Sequence, residues 1–244
     1  MLAAPPRFAD RIALVTGASR GIGRAAAVAL AHAGAQVVAT ATNQGALEEL
    51  DDEVRTATGR SLTLVPLDLK DGDGLDRLGA AIHERWGRLD ALVAAAAVLG
   101  PMSPLSHVEP KDWAKVMAVN LTANWRLLRS MDQLLRASDA GRAVFLTSRV
   151  AAEPRAYWGP YAISKAGLEA LVRTYADETE TTPVRVAIYD PGRTRTRMRA
   201  EACPGEDAAT LPAPESHAPA ILELLRPDQQ PPRTVVRACP PMQA

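Results

Sequence analysis

The segment Tyr161-Ala-Ile-Ser-Lys165 sets a phenol and an ammonium four residues apart, and Ser148 lies upstream at the end of the apolar run Ala143-Val-Phe-Leu-Thr147. On a helix, positions four apart share a face, so the ammonium can act on the phenol. An isolated phenol titrates at about 10 and is a poor base at neutral pH, but an adjacent positive charge favours the phenolate. This is the wiring of a tyrosine acid/base, with a serine hydroxyl able to hold a substrate oxygen. The same pair also occurs on helices that merely face water, so the elements around it must decide. Lysine stands only at positions 70, 111, 115 and 165 among 28 basic residues, which gives weight to a lysine at this spacing.

A second group of residues sits near the start of the chain. Thr16-Gly-Ala-Ser-Arg-Gly-Ile-Gly23 joins an apolar run to a helical pattern. Glycines there permit a tight turn and let a pyrophosphate approach both the backbone and a helix N-terminus.

Stepping from these residues to their supports, short apolar runs alternate with longer helical patterns. The spacing predicts strands over residues 11–16, 36–40, 62–67, 91–97, 143–147 and 185–189, and helices over 22–33, 44–58, 74–86, 112–136 and 157–180. Such alternation implies an α/β fold, a doubly wound parallel sheet of six to seven strands covered on both faces. One domain is expected over residues 1–244, with a core over 11–198 and a substrate lid and C-terminal tail over 199–244. Nine of the 19 prolines fall in that tail, which offers one helix-like stretch at 214–225 and a candidate seventh strand at 234–237.

Composition narrows the partners. Twenty-eight basic residues balance 28 acidic ones, so no overall field favours nucleic acid or an anionic membrane, and a small molecule is the better expectation. The first ten residues lack a basic start followed by an apolar stretch, and the longest apolar run, 91–99, falls short of the roughly 20 residues that span a bilayer. A cytoplasmic protein is expected. Cys203 and Cys239 form no metal-binding pattern with the histidines and are expected to be free thiols, with no metal bound.

Thr16-Gly17-x-x-x-Gly21-x-Gly23 together with Ser148, Tyr161 and Lys165 resembles the short-chain dehydrogenase/reductase family, over residues 11–198. The resemblance implies hydride transfer between a nicotinamide and a carbonyl or alcohol. Tyr161 would act as acid/base, Lys165 would lower the phenol's pKa and hold the nicotinamide ribose, and Ser148 would bind the substrate oxygen. Asn120 matches the fourth catalytic residue, which helps hold a proton-relaying water. The cofactor would rest on Gly17, Ser19, Arg20, Gly21, Ile22 and Gly23, on Asp68 and Leu69 near the adenine, on Ala95, and on Pro191, Gly192, Thr194 and Thr196. Asp68 could equally cap the next turn.

The stretch Ala39-Thr-Ala-Thr42 lacks the carboxylate that NAD-using members place after the second strand, so Arg20 and Thr42 resemble the 2′-phosphate ligands of NADP-preferring bacterial ketoreductases. NADPH is favoured, with NAD open. Arg20 also reads as a solvated loop arginine and Thr42 as a turn residue. Residues 94–97 are four alanines where the family carries Asn-Asn-Ala-Gly, so backbone groups that an asparagine at 95 would satisfy need another partner. Ketone or 3-oxoacyl reduction is the expected activity, in a homodimer or homotetramer built on the two long helices. The alternative is a catalytically weak nucleotide-binding sensor or scaffold of the same fold. A flavin protein would leave Ser148, Tyr161 and Lys165 unexplained. Tyr157, Trp158, Leu99, Met102 and Met198 are expected to make an apolar substrate pocket, residues 198–214 a mobile lid, and the arginines at 193, 195, 197 and 199 a lure for an anionic substrate or a solvated face.

Overall fold

Seven apolar runs form strands in the computed structural model, which describes residues 8–229 and 235–237. They are β1 (Ile12–Thr16), β2 (Gln36–Ala41), β3 (Thr63–Pro66), β4 (Ala91–Ala94), β5 (Arg142–Leu146), β6 (Arg185–Asp190) and β7 (Val235–Arg237). All pair in parallel, in the order β3-β2-β1-β4-β5-β6-β7. The direction of winding reverses between β1 and β4, which opens a crevice at the carboxyl ends of the strands.

Side chains alternate across each strand, and this divides the core in two. Ala13, Val15, Val37, Ala39, Val144 and Tyr189 pack on one face, against helices α1 (Gly21–His32) and α2 (Gln44–Thr58). Ile12, Leu14, Val38, Phe145 and Ile188 pack on the other, against α3 (Gly72–Trp86) and the long helices that follow. Burial of each large aliphatic side chain contributes about 1.5–3 kcal/mol, so both layers are tightly specified. Local signals set the ends of α2 and α3: Asn43 and Asp71 cap their N-termini, and Gly59 and Gly87 close them at φ of 71° and 69°.

The expected helix over 112–136 is not one regular element. It runs as α4 (Pro110–Met117), a π-helical stretch Ala118–Thr122, and α5 (Ala123–Ala137). The wider turn carries Asn120, buried and hydrogen-bonded outside the helix. The strand expected over 91–97 stops at Ala94, and the chain beyond turns along the crevice. The helix α6 (Gly159–Glu178) begins two residues later than the pattern predicts, because Tyr157 is held at φ 72° and cannot continue it.

The last fifth of the chain departs most from expectation. Residues 198–214 contain a helix, α7 (Arg197–Ala202), and a 3-10 turn Pro214–His217 leads into α8 (Ala218–Leu224). Ile221, Leu224 and Leu225 complete the core beside α1, so the core extends past residue 198. The seventh strand forms over Val235–Arg237, and Thr234, like Cys239, lies outside the described residues. Arg142, 5% exposed, holds this end from within by donating to the carbonyls of Pro183, Arg226, Pro227 and Gln229. No described helix is long and apolar enough to cross a membrane.

Candidate active site

A cavity of about 600 Å³ occupies the crevice, walled by the loops that leave β1 through β6. The glycine loop forms one end, with Gly17, Ser19, Arg20, Gly21, Ile22 and Gly23 all on its surface. Gly17 and Gly21 adopt φ of 68° and 57°, and a Cβ on Gly23 would stand 2.4 Å from the Gly17 carbonyl oxygen, so the turn closes only without side chains. Helix α1 starts behind it with no side-chain cap, leaving its first N–H groups directed at the cavity. Thr42 follows β2, and Asp68 and Leu69 follow β3. Asp68 performs the turn role as well as lining the wall: it accepts from the Lys70 amide at 3.0 Å and pairs with the Lys70 ammonium at 3.1 Å.

Ala95, Ala96 and Ala97 line the middle. The Ala96 amide donates to Thr16 Oγ1 at 3.3 Å. Among the described residues, one buried side-chain polar atom has no partner: Thr40 Oγ1, whose residue also lines the cavity. Pattern reading missed Thr40 because a threonine inside a strand looks like any β-branched residue.

At the other end, Ser148 leaves β5 while Tyr161 and Lys165 project from α6. Lys165 Nζ donates to the Leu146 carbonyl at 2.8 Å and lies 5.8 Å from the centre of the Tyr161 ring. The expected depression of the phenol's pKa does not occur in this setting. Burial dominates and pushes Tyr161 up to about 12, against the lowering effect of the Ser148 hydroxyl, while Asp190 adds to the rise. Burial also brings Lys165 down to about 8. The site therefore holds a protonated phenol beside a lysine that titrates close to neutrality.

Asn120 does not line the cavity. Its Oδ1 accepts from the Val98 amide at 2.8 Å, and its Nδ2 donates to the Val98 carbonyl at 2.9 Å and to Ser164 Oγ at 3.0 Å. Both amide protons are committed, so the side chain clamps the loop after β4 to α6, and its backbone carbonyl accepts from Asn124.

Pro191, Gly192, Thr194 and Thr196 form a strap beyond β6 that lines the same cavity. Of the nearby arginines, Arg193 and Arg199 both pair with Glu206, Arg199 through two nitrogens, and Arg197 pairs with Glu201. The expected lure for an anionic substrate is thus largely neutralised. Arg20, Lys115 and Arg195 line the cavity with no side-chain partner among the described residues. Leu99, Val150, Tyr161 and Ala162 make an apolar cluster at the catalytic end, with Met102, Trp158, Met198 and Ala202 packed on it; Tyr157 stays outside, 57% exposed. Cys203 is a free thiol.

These features fit a dinucleotide. An uncapped helix N-terminus behind a loop whose Gly17 and Gly23 have no room for a side chain suits a pyrophosphate, and Arg20 offers an unspent guanidinium on the same wall.

The chain is similar to known proteins over most of its length. The short chain dehydrogenase family profile matches residues 11–207. The uncharacterized oxidoreductase YciK of Escherichia coli is 39% identical over 223 residues, covering 91% of this chain and 88% of that protein. The 3-oxoacyl-[acyl-carrier-protein] reductase FabG of Escherichia coli is 31% identical over 191 residues, 78% of this chain and 76% of that protein. A short chain dehydrogenase from Shigella flexneri, solved with NADP, superposes with a TM-score of 0.93 at 37% identity, over 97% of this chain and 100% of its own.

Proposed function

We propose, from the premise that this chain belongs to the short chain dehydrogenase family and is an oxidoreductase, that it reduces an apolar ketone or 3-oxoacyl group with NADPH. The observation that carries this reading is the enclosure of Ser148, Tyr161 and Lys165 in one cavity with the glycine loop. A bound nicotinamide supplies hydride. Arg20 and Thr42 hold the 2′-phosphate, and the uncapped start of α1 receives the pyrophosphate. Asp68 and Leu69 flank the adenine, and Ala95 with the strap residues Pro191, Gly192, Thr194 and Thr196 holds the remainder. The NADP-bound relative from Shigella flexneri supports that choice of cofactor.

Tyr161 is held protonated by burial, which suits it to give its proton to a carbonyl oxygen at neutral pH. Ser148 donates to the same oxygen and stabilises the negative charge that develops there. Lys165, anchored on Leu146, stands ready to restore the proton to Tyr161. Asn120 keeps the Val98 loop and α6 in register beneath these groups. Leu99, Trp158 and Met198 present an apolar wall that suits an apolar substrate. Trp113, Trp125 and Ile163, on α4, α5 and α6, remain exposed and support a homodimer formed on those helices.

NADPH and NADH oxidation over ketones, aldehydes and β-ketoacyl thioesters tests the reading, with Tyr161→Phe as control. Tyr161→Phe is expected to lower kcat by about 10²–10⁴-fold. Arg20→Ala is expected to weaken NADPH about tenfold or more while sparing NADH. Equal inactivity of wild type and Tyr161→Phe, with both binding nucleotide, would favour the sensor reading instead.

A further inference from the structure

Three groups outside the catalytic set form a buried chain: Tyr189 on β6, His217 at the end of the 3-10 turn before α8, and Thr194 in the strap. His217 is 3% exposed and does not itself line the cavity. Its Nδ1 lies 2.8 Å from the Tyr189 hydroxyl and its Nε2 lies 2.8 Å from Thr194 Oγ1. The two rings meet edge-on, 5.8 Å apart at 71°. Burial pushes the His217 pKa down, with Asp190 acting the other way, which favours the neutral imidazole. A neutral imidazole offers one donor and one acceptor, and a hydroxyl stands at each.

Thr194 is the point at which the strap enters the body of the protein. It is 4% exposed, whereas Arg193 and Arg195 on either side face solvent. The strap runs from Asp190, whose charge is felt at Tyr161, to the glycine loop, where Thr196 Cγ2 lies 3.5 Å from the place a Gly21 Cβ would take. An apolar residue at 217 would fill the core at lower cost, because a buried imidazole must recover its desolvation through hydrogen bonds.

We propose that His217 is a positioning residue for the dinucleotide, acting through Thr194 to hold the Pro191–Thr196 strap against β6. The proposal rests on the NADPH reading above. Pinning one buried residue fixes several backbone groups on the cavity wall at once.

The test compares direct binding of NADPH, followed by fluorescence titration, with binding of adenosine 2′,5′-bisphosphate, which keeps the phosphate recognised by Arg20 and lacks the nicotinamide. His217→Leu is expected to weaken NADPH about tenfold, the value of roughly one hydrogen bond, and to change the bisphosphate less than twofold. Thr194→Val should show the same selective loss, and the double variant should lose no more than either single one. Equal loss for both ligands would overturn the proposal, because that is what loosening of the whole molecule would produce. Unchanged NADPH affinity in folded His217→Leu, or additive losses in the double variant, would overturn it too. If His217→Leu does not fold, Tyr189→Phe, which removes the hydroxyl at the end of the chain away from the cavity, carries the same two-ligand comparison, with selective NADPH loss expected and unchanged NADPH affinity overturning the proposal. Wild type that binds neither ligand would instead overturn the NADPH reading itself.

Discussion

Burial leaves Lys165 at about 8, well below its ordinary 10.5, and this makes the active site a thermodynamic burden. Between those values the unfolded chain binds the proton that the folded chain has released, so stability rises with pH across that window and the full penalty applies below it. The difference amounts to roughly 3 kcal/mol. Lys165→Met also loses the Leu146 hydrogen bond, so it is expected to stabilise the fold at pH 7 by about 2 kcal/mol while abolishing turnover. Urea unfolding at pH 7 and at pH 10.5 checks this, since the gain must shrink at the higher pH. Reduction should follow the same group: kcat is expected to fall above about pH 8 as Lys165 loses its charge, with Tyr161, at about 12, still protonated. An alkaline limb absent below pH 10 would show that the lysine charge is not needed.

At the scale of elements, the π-helical stretch Ala118–Thr122 converts a helix residue into a clamp. Asn120→Leu would leave the Val98 amide and carbonyl and the Ser164 hydroxyl without this partner, at an expected cost of about 3–4 kcal/mol in chemical denaturation. Tyr157 sits in the left-handed region with its side chain largely in water, so Tyr157→Asn is expected to raise stability by about 0.5–1 kcal/mol, read from the denaturant midpoint. The first six strands and their helices were legible because each repeats its period several times. Nothing in that period announces a wider turn at Asn120, because one residue of slippage leaves the apolar stripe intact. The alanines at 94–97 carry no signal for where backbone pairing stops, so β4 reads longer than it is. His217 gave no local sign at all: its partners lie 28 and 23 residues away in sequence, and only folding brings them together. That Ser148, Tyr161, Lys165 and the glycine loop belong to one cavity was readable because the chemistry expected of them demands particular residues at particular spacings, whereas the partners of Asn120 and of the 193–199 arginines were not.

Across the whole molecule, exposed Trp125 and Ile163 mark the helices expected to meet a second copy. Trp125→Glu combined with Ile163→Glu is expected to shift sedimentation from dimer to monomer with the far-ultraviolet spectrum unchanged. The last described strand joins the sheet beyond β6, and Arg142 ties residues 226–229 to the interior, so the described residues after α7 share in the cooperative unit. Within that region Glu206 takes up the charge of both Arg193 and Arg199, while Arg20, Lys115 and Arg195 keep theirs. One cavity therefore presents two encounter regimes to arriving molecules. The polyanionic coenzyme is drawn in by a field that added salt screens within about 10 Å at 0.1 M, so its association rate should drop with ionic strength. A neutral ketone meets no such field and should arrive at the same rate in dilute buffer and in brine.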